Sequence, residues 1–264
     1  MKRIYIGLVS ILLLLFSVSA ASALQYGYGA ATIDLTSLSY SSNGTKVYTK
    51  TLGVYSSGSA MAVDQNQVSA DGFSNFYFQN VLNNWAEAYT SDAFAKATTV
   101  NGLSTSEAEA NAGGTYGQYS GAIAGTYVSA YQFYLPTGGD LTISIKYALD
   151  AEISGNEPGF SVAGAGAMLG AYQLGTEDST GDWLSLAGGF GDDSATTGWK
   201  TLTVTLAGLK AGSLFNLFAG TAAYAAAYAP GQTAPVPEPA TMLLLGTGLL
   251  GLAGFGRRQL KNRK

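Results

Sequence analysis

Apolar and polar residues alternate with period two through the middle of the chain. Over residues 140–149, Leu141, Ile143, Ile145 and Tyr147 fall on one face, and Thr142, Ser144 and Lys146 on the other. A half-buried strand needs that pattern. Residues 199–206 repeat it, with Leu202, Val204 and Leu206 facing one way. Residues 126–135, rich in Tyr, Val and Phe, read as another strand, and residues 32–40 as an early one. Gly138 and Gly139, and Gly208 with Gly212, mark turns between strands. Two segments are ambiguous. Residues 85–98 place alanines at alternate positions (Ala86, Ala88, then Ala93, Ala95, Ala97), and residues 222–229 do likewise. Either could be an alanine-rich helix or a strand with a small-residue face; strand is preferred because the neighbours are strands. No fixed-period repeat or second domain boundary is visible. The expected fold is all-β, an antiparallel β-sandwich or jelly roll over residues 24–229.

Composition narrows the chemistry. The 264 residues contain neither cysteine nor histidine. A body of this size can bury a core without disulfides. The missing histidine removes the commonest general acid–base and transition-metal ligand, so no enzyme, cofactor or transition metal is expected. Basic residues cluster at the two ends. The middle keeps Lys46, Lys50, Lys96, Lys146, Lys200 and Lys210 against sixteen carboxylates, an excess of about ten negative charges. Such a body repels nucleic acid.

The N-terminus opens with Lys2 and Arg3, followed by an apolar run over residues 4–16 and then small residues. Ala21 and Ala23 flank Ser22 in the small-x-small pattern of a signal-peptide cleavage site. The apolar run is too short for a comfortable membrane span. Residues 1–23 are therefore expected to be a signal peptide removed by signal peptidase, leaving a mature chain beginning near Leu24.

The C-terminus has three parts. Residues 230–239 form a proline-rich spacer with Pro230 and Pro235, ending in Pro237, Glu238 and Pro239. Residues 240–256 are uncharged; as a helix they would be roughly 25 Å long, enough to cross a thin bilayer. Residues 257–264 carry Arg257 and Arg258, a membrane stop, then Lys261, Arg263 and Lys264, which favour the cytoplasmic side. The last 29 residues or so resemble the PEP-CTERM sorting signal of Gram-negative bacteria that make extracellular polysaccharide. The resemblance implies cleavage near the motif by an exosortase, a membrane transpeptidase-like enzyme. It also implies export across the inner membrane, transient anchoring by the C-terminal transmembrane helix, and delivery to the cell surface or the exterior.

Candidate chemistry in the body is sparse. The acidic stretches at 176–182 and 191–194 read as turns whose Asp178, Asp182, Asp192 and Asp193 could contribute to a calcium site, although their spacing lacks an EF-hand ladder. Solvated turns explain them equally. Tyr116, Tyr119, Tyr127, Tyr131 and Tyr134 cluster in one stretch and could stack on sugar rings or simply pack across strands. Asp150 and Glu152 share a strand face, where charge could keep an edge strand from pairing. Asn43 and Gly44 fit a hairpin turn as well as a glycosylation sequon. The expected function is a non-enzymatic surface or extracellular-matrix protein associated with exopolysaccharide or biofilm. The alternatives are a carbohydrate-binding sandwich and a carboxylate-only glycan-degrading enzyme.

Overall fold

The computed structural model describes residues 25–229, apart from 48–49, 78–82, 114–117, 134, 136–137, 156–158, 174–175 and 190. The expected signal peptide, the proline-rich spacer with its motif, the apolar run and the basic end all lie outside the described residues. The described residues form strands and no helix. In chain order they are β1 (Gln25–Ser42), β2 (Thr45–Lys46), β3 (Lys50–Asp64), β4 (Val68–Tyr77), β5 (Asn83–Tyr89), β6 (Ala93–Val100) and β7 (Leu103–Ala112). There follow β8 (Gln118–Phe133), β9 (Gly139–Gly155), β10 (Phe160–Gln173), β11 (Thr176–Gly188), β12 (Asp193–Thr196), β13 (Lys200–Leu209) and β14 (Leu214–Ala229).

Every pairing is antiparallel. Eight strands make sheet A, in the order β12-β9-β1-β7-β6-β5, with β13 also on β9 and β2 on β1. Six make sheet B, in the order β11-β10-β14-β8-β3-β4. The chain passes back and forth between the sheets. The alternating strands at 140–149 and 199–206 appear as β9 and β13, and their apolar faces are buried. The two alanine-rich segments are strands as well: 85–98 divides into β5 and β6, and 222–229 is the end of β14.

The interior between the sheets changes character across their width. On the β9–β13–β10 side it holds Leu141, Ile143, Ile145, Leu149, Leu169, Leu202, Leu206 and Phe215. On the β5–β6–β3 side every buried member of the hydrophobic cluster is alanine, with Phe73 alongside. Alanine faces let two sheets approach more closely than the roughly 10 Å usual for sandwiches. At Gly29 the approach is backbone to backbone: a Cβ there would lie 2.3 Å from the Gly164 carbonyl oxygen and 2.8 Å from that of Tyr224. This explains the alternating alanines. They are the packing face of strands for which a leucine would be too thick.

A buried hydroxyl cluster also ties the sheets together. Thr126 Oγ1 lies 2.5 Å from Ser104 Oγ and 2.7 Å from Thr221 Oγ1, which lies 2.6 Å from Ser106 Oγ. Ser104 and Ser106 are on β7, so these bonds cross from sheet A to sheet B. Nearby in the sequence of β6, Thr99 Oγ1 is buried with no hydrogen-bond partner among the described residues. Thr99→Val keeps the shape and removes an unpaired polar atom, so it is expected to raise stability by about 1 kcal/mol in urea titration. A loss of stability would mean that the hydroxyl is bonded to internal water.

Asn43 and Gly44 form the tight turn between β1 and β2, with φ of 49° and 77°. Positive φ at both central residues is the hairpin geometry that Asn-Gly favours. The structure corrects two expectations. Residues 176–182 are not an acidic turn but the first half of β11, paired to β10 along its length. β9 is not an edge strand: on its Asp150–Glu152 segment it pairs with β1 on one side and β12 on the other.

Candidate functional site

The two outward faces of the sheets have different chemistry. On sheet A, antiparallel register sets residues in rows across the strands. One row runs Tyr89, Phe94, Glu109, Tyr28, Glu152, and the next Glu87, Lys96, Glu107, Ala30, Asp150. Asp150 and Glu152 thus belong to an acidic face whose carboxylates come from three strands, β5, β7 and β9, relieved chiefly by Lys96, whose Nζ lies 2.9 Å from Glu87 Oε1. The local potential acts on the tyrosines. Burial, then Glu109 and Glu152, push Tyr26 up to about 12, and burial, then Glu107 and Asp150, raise Tyr28. Both stay neutral hydrogen-bond donors at any physiological pH.

The outer face of sheet B is almost uncharged. Its outward residues include Val162, Gly164, Gly166, Met168 and Gly170 on β10, and Phe218, Gly220, Ala222 and Tyr224 on β14. β8 adds Ile123, Gly125 and Tyr127. Among the described side chains of that face, Glu177 is the sole charge. Aromatic rings lie over glycines of neighbouring strands: Trp183 over Gly166, Tyr224 over Gly164, Phe218 over Gly170 and Phe76 over Gly53. A ring over a glycine covers backbone that would otherwise be bare, a device that also pins strand register. Phe218 and Tyr127 stack at 6.2 Å between centroids, and Tyr127 meets Tyr55 at 6.5 Å. Sequence reading found Tyr127 but missed this paving. The signal was the run of glycines at alternate outward positions of β10, which mean nothing until the register supplies their partners.

The residues singled out as calcium candidates are placed as follows. Asp178 accepts a hydrogen bond at 2.7 Å from the Thr205 backbone N–H of β13. Asp182 accepts from the Tyr147 hydroxyl and lies 3.7 Å from Lys200 Nζ. That bond from Tyr147 lowers the Asp182 carboxyl, while burial and Asp182 push Tyr147 up to about 12. Both aspartates therefore latch β11 of sheet B to β9 and β13 of sheet A. Asp193 opens β12, and Asp192 precedes it. Among the described residues, no three acidic side chains converge as a metal site. Of the tyrosine cluster, Tyr119 and Tyr127 point outward from sheet B; Tyr116 and Tyr134 lie outside the described residues.

One buried carboxylate has a clear structural role. Asp64, at the end of β3, is 2% exposed. It accepts from the Asn66 and Gln67 N–H groups at 2.7 and 2.8 Å and from Ser91 Oγ at 2.9 Å. Burial pushes its pKa up, but the bonds from Asn66, Ser91, Thr90 and Gln67 outweigh it, and the carboxyl is held below its ordinary 3.8. Asp64→Ala is expected to cost about 2–3 kcal/mol near neutral pH, since it leaves buried donors unpaired. A lowered folded pKa gives stability that is present above the ordinary value and lost as pH falls through the folded one. The gap between wild type and variant should therefore narrow below about pH 3.8. Urea titrations at pH 7 and pH 3 read it directly.

Ala21, Ala23, Pro237, Glu238, Pro239, Arg257 and Arg258 are sites of the linear sequence, outside the described residues. β1 begins two residues after Ala23, and β14 ends at Ala229, just before the proline-rich spacer. A Cβ on Gly27 of β1 would stand 3.3 Å from the Ala226 carbonyl oxygen of β14. The first strand therefore starts, and the last strand finishes, at the same end of the two sheets.

Residues 235–258 match the family model of the PEP-CTERM protein-sorting motif. No curated protein matches this chain, and no solved structure does. The C-terminal tail is a PEP-CTERM sorting signal, which implies export and processing by an exosortase.

Proposed function

From a tail that is a PEP-CTERM sorting signal, we propose that this chain is an exported, non-enzymatic structural protein of the cell surface or extracellular matrix. Signal peptidase removes residues 1–23. The apolar span at 240–256 then holds the protein in the membrane, with Arg257 and Arg258 stopping it on the cytoplasmic side. Exosortase cuts near Pro237, Glu238 and Pro239, and the two-sheet body joins the exopolysaccharide or biofilm outside. The matched sorting motif carries this reading. The body supports it: strands, hydroxyl ties and carboxylate latches serve to hold two sheets together. Because the first strand starts where the last ends, the described body begins and finishes at one end of the sheets, with the faces free along the rest of it.

The test is fractionation of the native host with and without its exosortase. The protein is expected in the washed matrix of the wild type and in the membrane fraction of the exosortase-deficient strain. Recovery in the cytosol, or an unchanged matrix fraction without exosortase, would contradict the proposal.

A further inference from the structure

We propose that the outer face of sheet B is a stacking platform for an uncharged polysaccharide, the component through which the body is held in the matrix. The inference rests on the matrix reading above and adds the face and the class of ligand. Its first support is the arrangement of rings. Trp183, Tyr224, Phe218 and Phe76 lie over glycines, and Phe218, Tyr127 and Tyr55 continue one aromatic line across β14, β8 and β3. Six strands span about 24 Å at the usual strand spacing. Trp183 and Phe76, 55% and 50% exposed, extend the platform onto its two edge strands, β11 and β4. Rings laid over glycine leave neither knobs nor holes. A second protein copy would need both to interlock at the density of an interface core. A pyranose needs neither, because its flat C–H face packs on a flat ring.

Charge selects the polymer. Glu177 is the sole described charge on this face, whereas Glu87, Glu107, Glu109, Asp150 and Glu152 crowd the opposite one. An anionic polysaccharide would be repelled by a body carrying about ten excess negative charges. An uncharged one meets no repulsion, and no ion has to be stripped of water to seat it. Ser57, Ser59, Ser129 and Ser185 stand among the rings on the same outward face and supply hydrogen-bond partners for sugar hydroxyls.

The experiment uses the exported protein recovered from its host. It is co-sedimented with microcrystalline cellulose, with curdlan and with immobilised polygalacturonate. Binding to an uncharged glucan is expected, insensitive to salt, with none to polygalacturonate. Trp183→Ala is expected to weaken binding about tenfold. Trp183→Phe keeps a ring over Gly166 and should retain it, while Trp85→Ala, on the other sheet, should change nothing. Far-UV circular dichroism checks that each variant is folded. Three outcomes overturn the proposal: binding to neither glucan, equal losses from Trp183→Ala and Trp85→Ala, or a concentration-dependent dimer that Trp183→Ala abolishes. Protein that reaches the matrix but binds neither glucan removes this inference and leaves the sorting account standing. Protein that stays uncleaved yet sediments with glucan does the reverse.

Discussion

Gly29→Ala is expected to cost more than about 3 kcal/mol, at or above the upper end of ordinary overpacking. The added methyl would stand 2.3 Å from the Gly164 carbonyl oxygen and 2.8 Å from that of Tyr224. Neither obstacle is a flexible side chain. Both oxygens belong to backbone in the middle of sheet B, where β10 and β14 are paired residue by residue. Relief requires the sheets to part, and parting them opens the alanine-lined interior beside β1. A domain of this size has only about 5–15 kcal/mol of stability in all, so the variant should unfold at much lower urea. Gly125→Ala is the matched control. It lies on a central strand of sheet B, as Gly29 lies on a central strand of sheet A, but the nearest atom to its Cβ is 3.5 Å away. There alanine should be neutral or mildly stabilising, by less than about 1 kcal/mol. If the two variants unfold at the same urea concentration, the sheets are not in backbone contact at Gly29.

The second large effect lies in the tail. Replacing Pro237, Glu238 and Pro239 with alanine is expected to leave the protein inserted but uncut. Proline disfavours helix at its own position and at the residue before it, and the proposed cleavage depends on a backbone that a protease can bind. Three alanines would remove that block to helix at the motif. They would also remove Glu238, the only charged residue between Lys210 and Arg257. Arg257→Ala with Arg258→Ala should impair processing far less. Lys261, Arg263 and Lys264 remain, and each cation costs about 2.5–3.5 kcal/mol to place at the bilayer centre. Fractionation and sizing separate the two variants. Release of the triple-alanine variant at the wild-type rate would leave a plain tail anchor with incidental shedding as the better account.

Where a feature is linear, the chain could be read directly. The tail is a consecutive pattern of motif, span and basic end, and the family match falls on the same residues. β9 and β13 were legible because one face of each is buried against large aliphatic residues. Asn43 and Gly44 were legible because few dipeptides accept two positive φ values in succession. The errors arose where partners decide. Thr176, Asp178, Ser179 and Gly181 have turn propensities, yet β10 pairs with all of them, and the Thr205 N–H occupies Asp178. Asp150 and Glu152 resembled protection of an edge until β12 was found paired outside them. The paved face of sheet B could not be read at all. Trp183 meets Gly166, and Phe218 meets Gly170, only through cross-strand register.

The central claim is that this protein is cut at both ends on its way out of the cell, and intact-mass spectrometry of the protein from its own host tests it most directly. The account predicts an N-terminus near Leu24 and a C-terminus near Pro237, Glu238 and Pro239 in the wild type. In a strain lacking exosortase it predicts the same N-terminus with the tail retained through Lys264. An intact Met1 in exported protein, or a C-terminus identical in both strains, would contradict it.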